Sequence, residues 1–162
     1  MRILGIDPGL AIVGWAIVDF DKDLNPTPVD YGAIITDKGL KVSTRLKEIY
    51  DDIHEVVDQF KPEACGVETL LFYNNAKTAT AVGEARGVVL LALEEFGLPI
   101  HDFTPLQVKD AVTGYGKADK KQVQENVKRF CNLESIPKPD DAADALAVAI
   151  CSANSFRFSQ LK

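Results

Sequence analysis

The sequence predicts an α/β protein whose mixed sheet starts with three antiparallel strands, continues with parallel strands and is flanked by helices. Three apolar runs come first and are separated by short turns, while two later runs each lie between helical stretches. Short turns join antiparallel neighbours, whereas an intervening helix is typical of a parallel crossover. With 162 residues, of which 46% are hydrophobic, the chain is expected to form one domain over residues 1–154.

Apolar runs bounded by turn residues predict five strands, and 3.6-residue periodicity predicts five helices. The predicted strands are the opening stretch up to Asp7, then Ile12–Val18, Val29–Thr36, Ala64–Val67 and Leu98–Phe103. The predicted helices are Lys41–Phe60, Asn75–Gly97, Pro105–Thr113, Asp119–Cys131 and Asp140–Ala153. The tail, Ser155–Lys162, shows no period and is expected to be partly disordered.

Two helices carry further signals. Thr104 followed by proline, with Gln107 three positions on, predicts a capping box at the start of the short helix. The first half of the long helix has few large apolar residues, which suits close approach of either its own sheet or a second subunit. Its small residues fall at Ala76, Ala79, Gly83 and Gly87.

Bulk properties narrow the class of protein. The three cysteines, Cys65, Cys131 and Cys151, are widely spaced in apolar or helical patterns and are expected to be buried thiols in a reducing compartment. We expect a cytoplasmic protein, because no signal-peptide core or membrane-length apolar stretch is present. A net charge of −6 argues against a uniformly basic coat, so nucleic acid would be met by a local cationic patch or bound metal ions.

Four acids stand in unusual places for this pattern. Asp7 and Glu68 each follow a buried strand directly, although Asp7 alone is also typical of a turn-shaping residue. Asp141 has an alternative interpretation as a helix cap or a first-turn acid favoured by the helix dipole. Asp144 has no such alternative, because alanines and a leucine enclose it as in a core helix. Its spacing from Asp141 places both side chains on one helix face.

These acids would repel one another if the fold brought them together. At about 4 Å and an effective dielectric near 20, each pair of charges costs about 4 kcal/mol, so a cation is needed to offset the repulsion. Oxygen ligands without histidine or thiolate favour Mg²⁺ or Mn²⁺. Two such ions about 3.5 to 4 Å apart suit in-line displacement at phosphorus by water. The pattern therefore predicts phosphodiester hydrolysis without a covalent enzyme intermediate.

Over nearly its whole length the chain resembles the RuvC family of Holliday junction resolvases, within the ribonuclease H-like superfamily. Four segments carry the resemblance: Gly5-Ile6-Asp7-Pro8-Gly9, Val67-Glu68, Gln107-Val108-Lys109, and Asp141 to Ala147. It implies a ribonuclease H-like fold in which Asp7, Glu68, Asp141 and Asp144 are catalytic ligands of two Mg²⁺ ions, with Mn²⁺ as a substitute.

The same resemblance implies how such an enzyme works in recombination and DNA repair. A homodimer would nick paired strands of like polarity in a four-way DNA junction and leave 5′-phosphate ends. The branch-migration helicase complex of RuvA and RuvB is the implied protein partner.

Two groups of residues are candidates for DNA contact. Lysines surround the Gly114–Gly116 loop and the preceding short helix, although a solvated face is an alternative; they are Lys109, Lys117, Lys120 and Lys121. Large apolar side chains follow Glu68 directly, where the family carries an aromatic wedge; they are Leu71, Phe72 and Tyr73. Leu71 stands where some relatives have phenylalanine, and Phe72 has core packing as an alternative.

Three other functions compete with junction resolution. The first is another ribonuclease H-like nuclease with the same carboxylates and a different branched or structured substrate. The second is nucleotide binding, because an acid-turn-glycine strand end also opens the actin-like ATPases, although those need two related domains and a second phosphate loop. The third is a junction-binding structural protein without catalysis, which the presence of all four acids disfavours.

Overall fold

A computed structural model describes the backbone of residues 1–69 and 76–160. Its elements are, in chain order, β1 (Arg2–Asp7), β2 (Ile12–Phe20), β3 (Pro26–Ile35), α1 (Val42–Phe60), β4 (Ala64–Glu68), α2 (Ala76–Glu95), β5 (Ile100–Phe103), α3 (Pro105–Thr113), α4 (Lys120–Phe130) and α5 (Asp140–Gln160). The strands form one sheet in the order β3-β2-β1-β4-β5. β1-β2 and β2-β3 pair antiparallel, and β1-β4 and β4-β5 pair parallel, so the predicted fold class is confirmed.

Helices cover both faces of the sheet because alternate strand residues point to opposite sides. On one side Ile3 is buried in a cluster formed mainly with α3, α4 and α5. On the other side Leu4 and Ile6 are buried in a second cluster with α1 and α2. All three cysteines are buried and free, as predicted. Within the described ranges, no helix combines the length and apolarity needed to cross a bilayer.

Two glycines allow α5 to lie directly against the sheet. A Cβ atom at Gly5 of β1 would lie 2.2 Å from the carbonyl oxygen of Ala145, and one at Gly14 of β2 would lie 2.0 Å from that of Asp141. Both distances are far below van der Waals contact, so any larger residue would push the helix away. The absence of two side chains thus fixes the height of the helix that carries Asp141 and Asp144.

Several predicted boundaries differ from the structure by one or two residues, such as the end of β2 and the start of β5, and two differ by more. β3 begins at Pro26 rather than Val29, because an edge strand tolerates proline where its missing N–H faces away from the neighbouring strand. α5 continues to Gln160, so the aperiodic tail expected from Ser155 is instead helical backbone up to that residue. Tertiary packing extends the helix, since the Phe156 ring lies edge-on against His101 of β5 with centroids 4.6 Å apart.

Candidate active site

Asp7 and Glu68 lie side by side because their strands are adjacent and parallel. Ile6 pairs with Val67, and each is followed by its acid at the same end of the sheet. The chain beyond β4 remains attached, since the backbone N–H of Thr69 donates to the Phe103 carbonyl at 2.7 Å. The sheet itself therefore fixes the spacing of these two carboxylates.

The first turns of α5 bring the other two acids to this edge. Asp144 lies on the cleft side of the helix, three residues after Asp141 and among buried alanines. Asp141, the second residue of the helix, packs against β2, where its carbonyl lies over Gly14. Both acids act electrostatically on Asp7, so the fold brings residues distant in sequence to the same edge of the sheet.

A cleft of about 210 Å³ opens between these elements and the start of α4. Part of its wall is apolar and includes Val108 and Val123. Five charged side chains also line it; they are Asp7, Glu68, Lys109, Lys120 and Asp144. Asp141 is not among the lining residues, although its charge acts on Asp7. The cleft therefore joins three of the four predicted acids to two of the four predicted lysines.

Two carboxyl groups of the cleft have raised pKa values. Burial, followed by the charges of Glu68, Asp144 and Asp141, raises the pKa of Asp7 to about 8. Burial, followed by Asp144, raises the pKa of Glu68 to about 7, although Lys109 and Lys120 oppose the shift. Nearby lysines thus compensate only part of the negative charge, and near neutral pH Asp7 favours its neutral form while Glu68 is divided between its two forms.

Lys120, the first residue of α4, supplies the closest positive charge. Its Nζ atom lies 3.2 Å from Oδ2 of Asp144 and 3.7 Å from Oδ2 of Asp140. Burial lowers the Lys120 pKa, but Asp144 together with Asp140 and Asp141 outweighs this effect and the pKa is raised. Burial raises the pKa of Asp144 despite the opposing ammonium group. The sequence had suggested Lys120 as a DNA contact, and its ion pairs with α5 were not foreseen.

The residues of the cleft match a divalent cation in donor chemistry and charge. Their ligating atoms are carboxylate oxygens, which suit Mg²⁺ or Mn²⁺, and the raised pKa values of Asp7 and Glu68 come first from burial and then from neighbouring carboxylates that the lysines do not fully offset. Among the described residues, however, no three histidine, cysteine or acidic side chains already converge as a finished metal site. The arrangement is therefore an acidic cleft whose positive charge comes from lysine.

A capping box orients the second lysine of the cleft. The Thr104 side chain accepts from the Gln107 backbone N–H at 3.3 Å, and the Gln107 side chain accepts from the Thr104 backbone N–H at 2.8 Å. This confirms the predicted start of α3, from which Lys109 extends into the cleft.

The other two predicted lysines lie elsewhere. Lys117 is exposed on the loop before α4, and Lys121 lines a separate groove of about 360 Å³ with Thr113 and Tyr115. Leu71, Phe72 and Tyr73 lie outside the described residues.

Comparison with known proteins identifies the family to which the chain is similar. A family model described as crossover junction endodeoxyribonuclease RuvC matches residues 3–152. The chain belongs to the RuvC family. This confirms the resemblance read from the motifs, and the matched range includes all four acids and all four lysines.

The chain is similar to individual RuvC proteins in sequence and in structure. Crossover junction endodeoxyribonuclease RuvC of Thermosipho melanesiensis is 51% identical over 98% of this chain and 100% of its own length. The structure of Thermus thermophilus RuvC superposes with a TM-score of 0.91 at 34% identity, covering 98% of this chain and 97% of that one. T. thermophilus RuvC in complex with Holliday junction substrate gives 0.89 at 32% identity, with 98% and 96% covered.

Proposed function

We propose that this chain is a structure-selective DNA endonuclease that resolves Holliday junctions by paired, metal-dependent nicks in strands of like polarity. The observation that carries the proposal is the cleft in which Asp7, Glu68 and Asp144 lie together with two lysines, in a member of the RuvC family. Resolution of this kind serves homologous recombination and DNA repair. The products are nicked duplexes with 5′-phosphate ends, ready for ligation.

The four acids are the proposed ligands of the divalent cations. Asp7, Glu68 and Asp144 would hold divalent cations within the cleft, with Asp141 completing the set. Two Mg²⁺ ions held there, or Mn²⁺ in their place, would supply activation of the attacking water and charge neutralisation at the leaving oxygen. Without a cation, Asp7 stays largely protonated near neutral pH and Glu68 stays partly protonated, mainly because both are buried, so cation binding would release protons to solvent.

The lysines act on the DNA backbone. Lys109 and Lys120 line the cleft and would attract the phosphate to be cut. Lys117 and Lys121 would contact phosphates further along a duplex arm. Leu71, Phe72 or Tyr73 would wedge between bases at the junction centre, and this assignment stays a prediction. Association with a RuvA and RuvB complex likewise stays a prediction.

A homodimer is the proposed active form, and the outer face of α2 supports it. Gly83 and Gly87 are exposed, and a Cβ atom at either position would meet none of the residues that the structure describes within 4 Å. Close packing on the chain's own sheet therefore does not account for them, although each glycine costs a helix about 1 kcal/mol relative to alanine. Leu91, one further turn along, is 56% exposed. A second α2 could approach closely along this face.

Cleavage of synthetic DNA tests the proposed function. The purified chain, incubated with a labelled four-way junction and Mg²⁺, should yield paired symmetric nicks on a denaturing gel. Asp144→Asn should lower the cutting rate by about 10³-fold or more, because it removes a cation ligand, while junction binding in a mobility-shift assay persists. The free energy of unfolding of the metal-free variant should equal or exceed that of the wild type, because the substitution removes a repelled and partly buried charge.

Substrate comparison separates the competing functions. Faster cutting of flaps or of RNA-DNA hybrids than of four-way junctions would indicate another ribonuclease H-like nuclease. Junction binding without cutting in Mg²⁺ or Mn²⁺ would indicate a structural protein, and micromolar ATP binding would favour nucleotide recognition. Any of these results would contradict junction resolution.

A further inference from the structure

Lys120 lies between two carboxylates of α5 that have different surroundings. Asp144, at 3.2 Å, lines the cleft, whereas Asp140, at 3.7 Å, does not and lies at the first residue of the helix. The ammonium group is thus within reach of a carboxylate inside the site and of another outside it. A small rotation of the outer side-chain bonds suffices to favour one over the other.

An ion pair with Lys138 orients Asp140, the carboxylate outside the cleft that lies near Lys120. Lys138 Nζ donates to its Oδ1 atom at 2.9 Å, so the oxygen nearest Lys120 is the other one, Oδ2. Both ion pairs of Asp140 are substantially exposed, which makes them easy to strengthen or weaken as charges nearby change.

The backbone of Lys120 is fixed while its side chain is long. Asp119 caps α4, with its side chain accepting from the Gln122 backbone N–H at 2.8 Å and the Gln122 side chain accepting in return at 2.9 Å. Val123, one turn on, is buried in the cleft wall. Movement of the ammonium group therefore requires no movement of the helix.

We propose that Lys120 is an internal counter-ion that occupies the cation position at Asp144 in the metal-free protein and moves to Asp140 when a divalent cation binds. The proposal rests on the proposed function in one respect, namely that the acids of the cleft bind such a cation. Lys120 then competes with the cation, and Asp140 is a positioning residue that accepts Lys120 after its displacement. The displaced ammonium group stays beside the cleft, where a DNA phosphate would be bound.

Cation binding without DNA tests the competition directly. Free and bound Mn²⁺ can be counted by electron paramagnetic resonance during titration of the wild type, Lys120→Gln and Lys109→Gln. Lys109 is the matched control because it lines the same cleft and acts on Glu68 without a direct ion pair to Asp144. Lys120→Gln should tighten Mn²⁺ binding about tenfold, because it removes a competing charged group. Lys109→Gln should tighten it less than about threefold, because it removes only a distant charge.

Asp140→Asn tests the second half of the proposal. In the wild-type background this variant should weaken Mn²⁺ binding, because Lys120 then has no second carboxylate to move to. In the Lys120→Gln background the same change should have little effect, since no ammonium group needs a partner. A general field effect of the Asp140 charge would instead weaken binding equally in both backgrounds, so the double-mutant cycle separates the two causes.

The outcomes distinguish failure of the Lys120 proposal from failure of the proposed nuclease function. Equal Mn²⁺ affinity of Lys120→Gln and Lys109→Gln, or additive effects of Lys120→Gln and Asp140→Asn, would overturn it even if the wild type cuts junctions. Absence of Mn²⁺ binding in every variant would overturn it together with the metal-dependent mechanism. Circular dichroism melting of each variant confirms that the compared proteins are folded.

Discussion

At the scale of single residues, the carboxyl groups of the cleft keep protons that ordinary acids lose near pH 4. Burial and mutual repulsion raise the pKa of Asp7 from 3.8 to about 8, so its charged form is disfavoured in the folded chain. A raised pKa contributes stability below the unfolded-state value and loses it as pH rises through the folded-state value. The metal-free protein should therefore lose stability between about pH 4 and pH 8.

Asp7→Asn makes this loss measurable. The asparagine side chain cannot ionise. In EDTA, the free energy of unfolding of the variant minus that of the wild type should therefore increase as pH rises from 4 to 8.5. The relative gain should reach about 1 to 2 kcal/mol, below the full linkage value because water in the cleft screens the charge. Urea unfolding at each pH provides the measurement, and a constant difference across the range would contradict the raised pKa.

Asp19→Asn is a control of opposite sign. Arg2 Nε donates to Asp19 Oδ1 at 2.8 Å, and this hydrogen bond, outweighing partial burial, lowers the pKa of Asp19. A lowered pKa contributes stability above the ordinary value, so Asp19→Asn should destabilise the chain at pH 7. That deficit should shrink as pH falls below about 4.

At the scale of elements, the position of α5 decides whether the site exists. β1 and β4 supply Asp7 and Glu68 through their pairing alone, but Asp141 and Asp144 reach them only because α5 lies flat on Gly5 and Gly14. A shift of α5 by even 1 Å would alter every distance to these acids.

Gly14→Ala tests this dependence. Its Cβ would lie 2.0 Å from the Asp141 carbonyl oxygen, so α5 must move and the free energy of unfolding should fall by about 2 to 3 kcal/mol. Junction cutting at a temperature where the variant is folded should fall at least tenfold. Gly32→Ala is the control, because its Cβ would make an ordinary 3.4 Å contact with Trp15. Equal effects of the two substitutions on cutting would mean that contact of α5 with β2 does not set the geometry.

At the scale of the whole molecule, the open face of α2 bears on assembly. Gly87→Leu adds a side chain at a position whose Cβ has no neighbour within 4 Å in the described part of the chain, so a single chain should fold normally. In a dimer joined along this face, the same side chain should force the helices apart and lower the association constant at least tenfold. Sedimentation equilibrium gives the mass, and Glu55→Leu, at an exposed position of α1, is the control. A wild type that sediments as one chain at micromolar concentration would contradict the dimer.

The sequence predicted the fold class and the four acids because those depend on local patterns. Strand ends at Asp7 and Glu68 follow from apolar runs, and the exceptional place of Asp144 follows from the alanines around it. The ion pairs of Lys120 could not be predicted, since they depend on the angle at which α4 meets α5. The helical end of α5 was missed for a similar reason, because packing of Phe156 on His101 is a tertiary contact.

The order of the strands has a consequence for synthesis of the chain. Asp7 is made almost first, on the central strand, whereas two of its three acidic neighbours belong to α5, which follows every strand of the sheet. Until α5 leaves the ribosome, β1 and β2 lack the helix that lies on Gly5 and Gly14, and the cleft lacks the wall that carries Asp144. A chain that stops before α5 therefore has two of the four acids, and the complete set comes together only with the last helix.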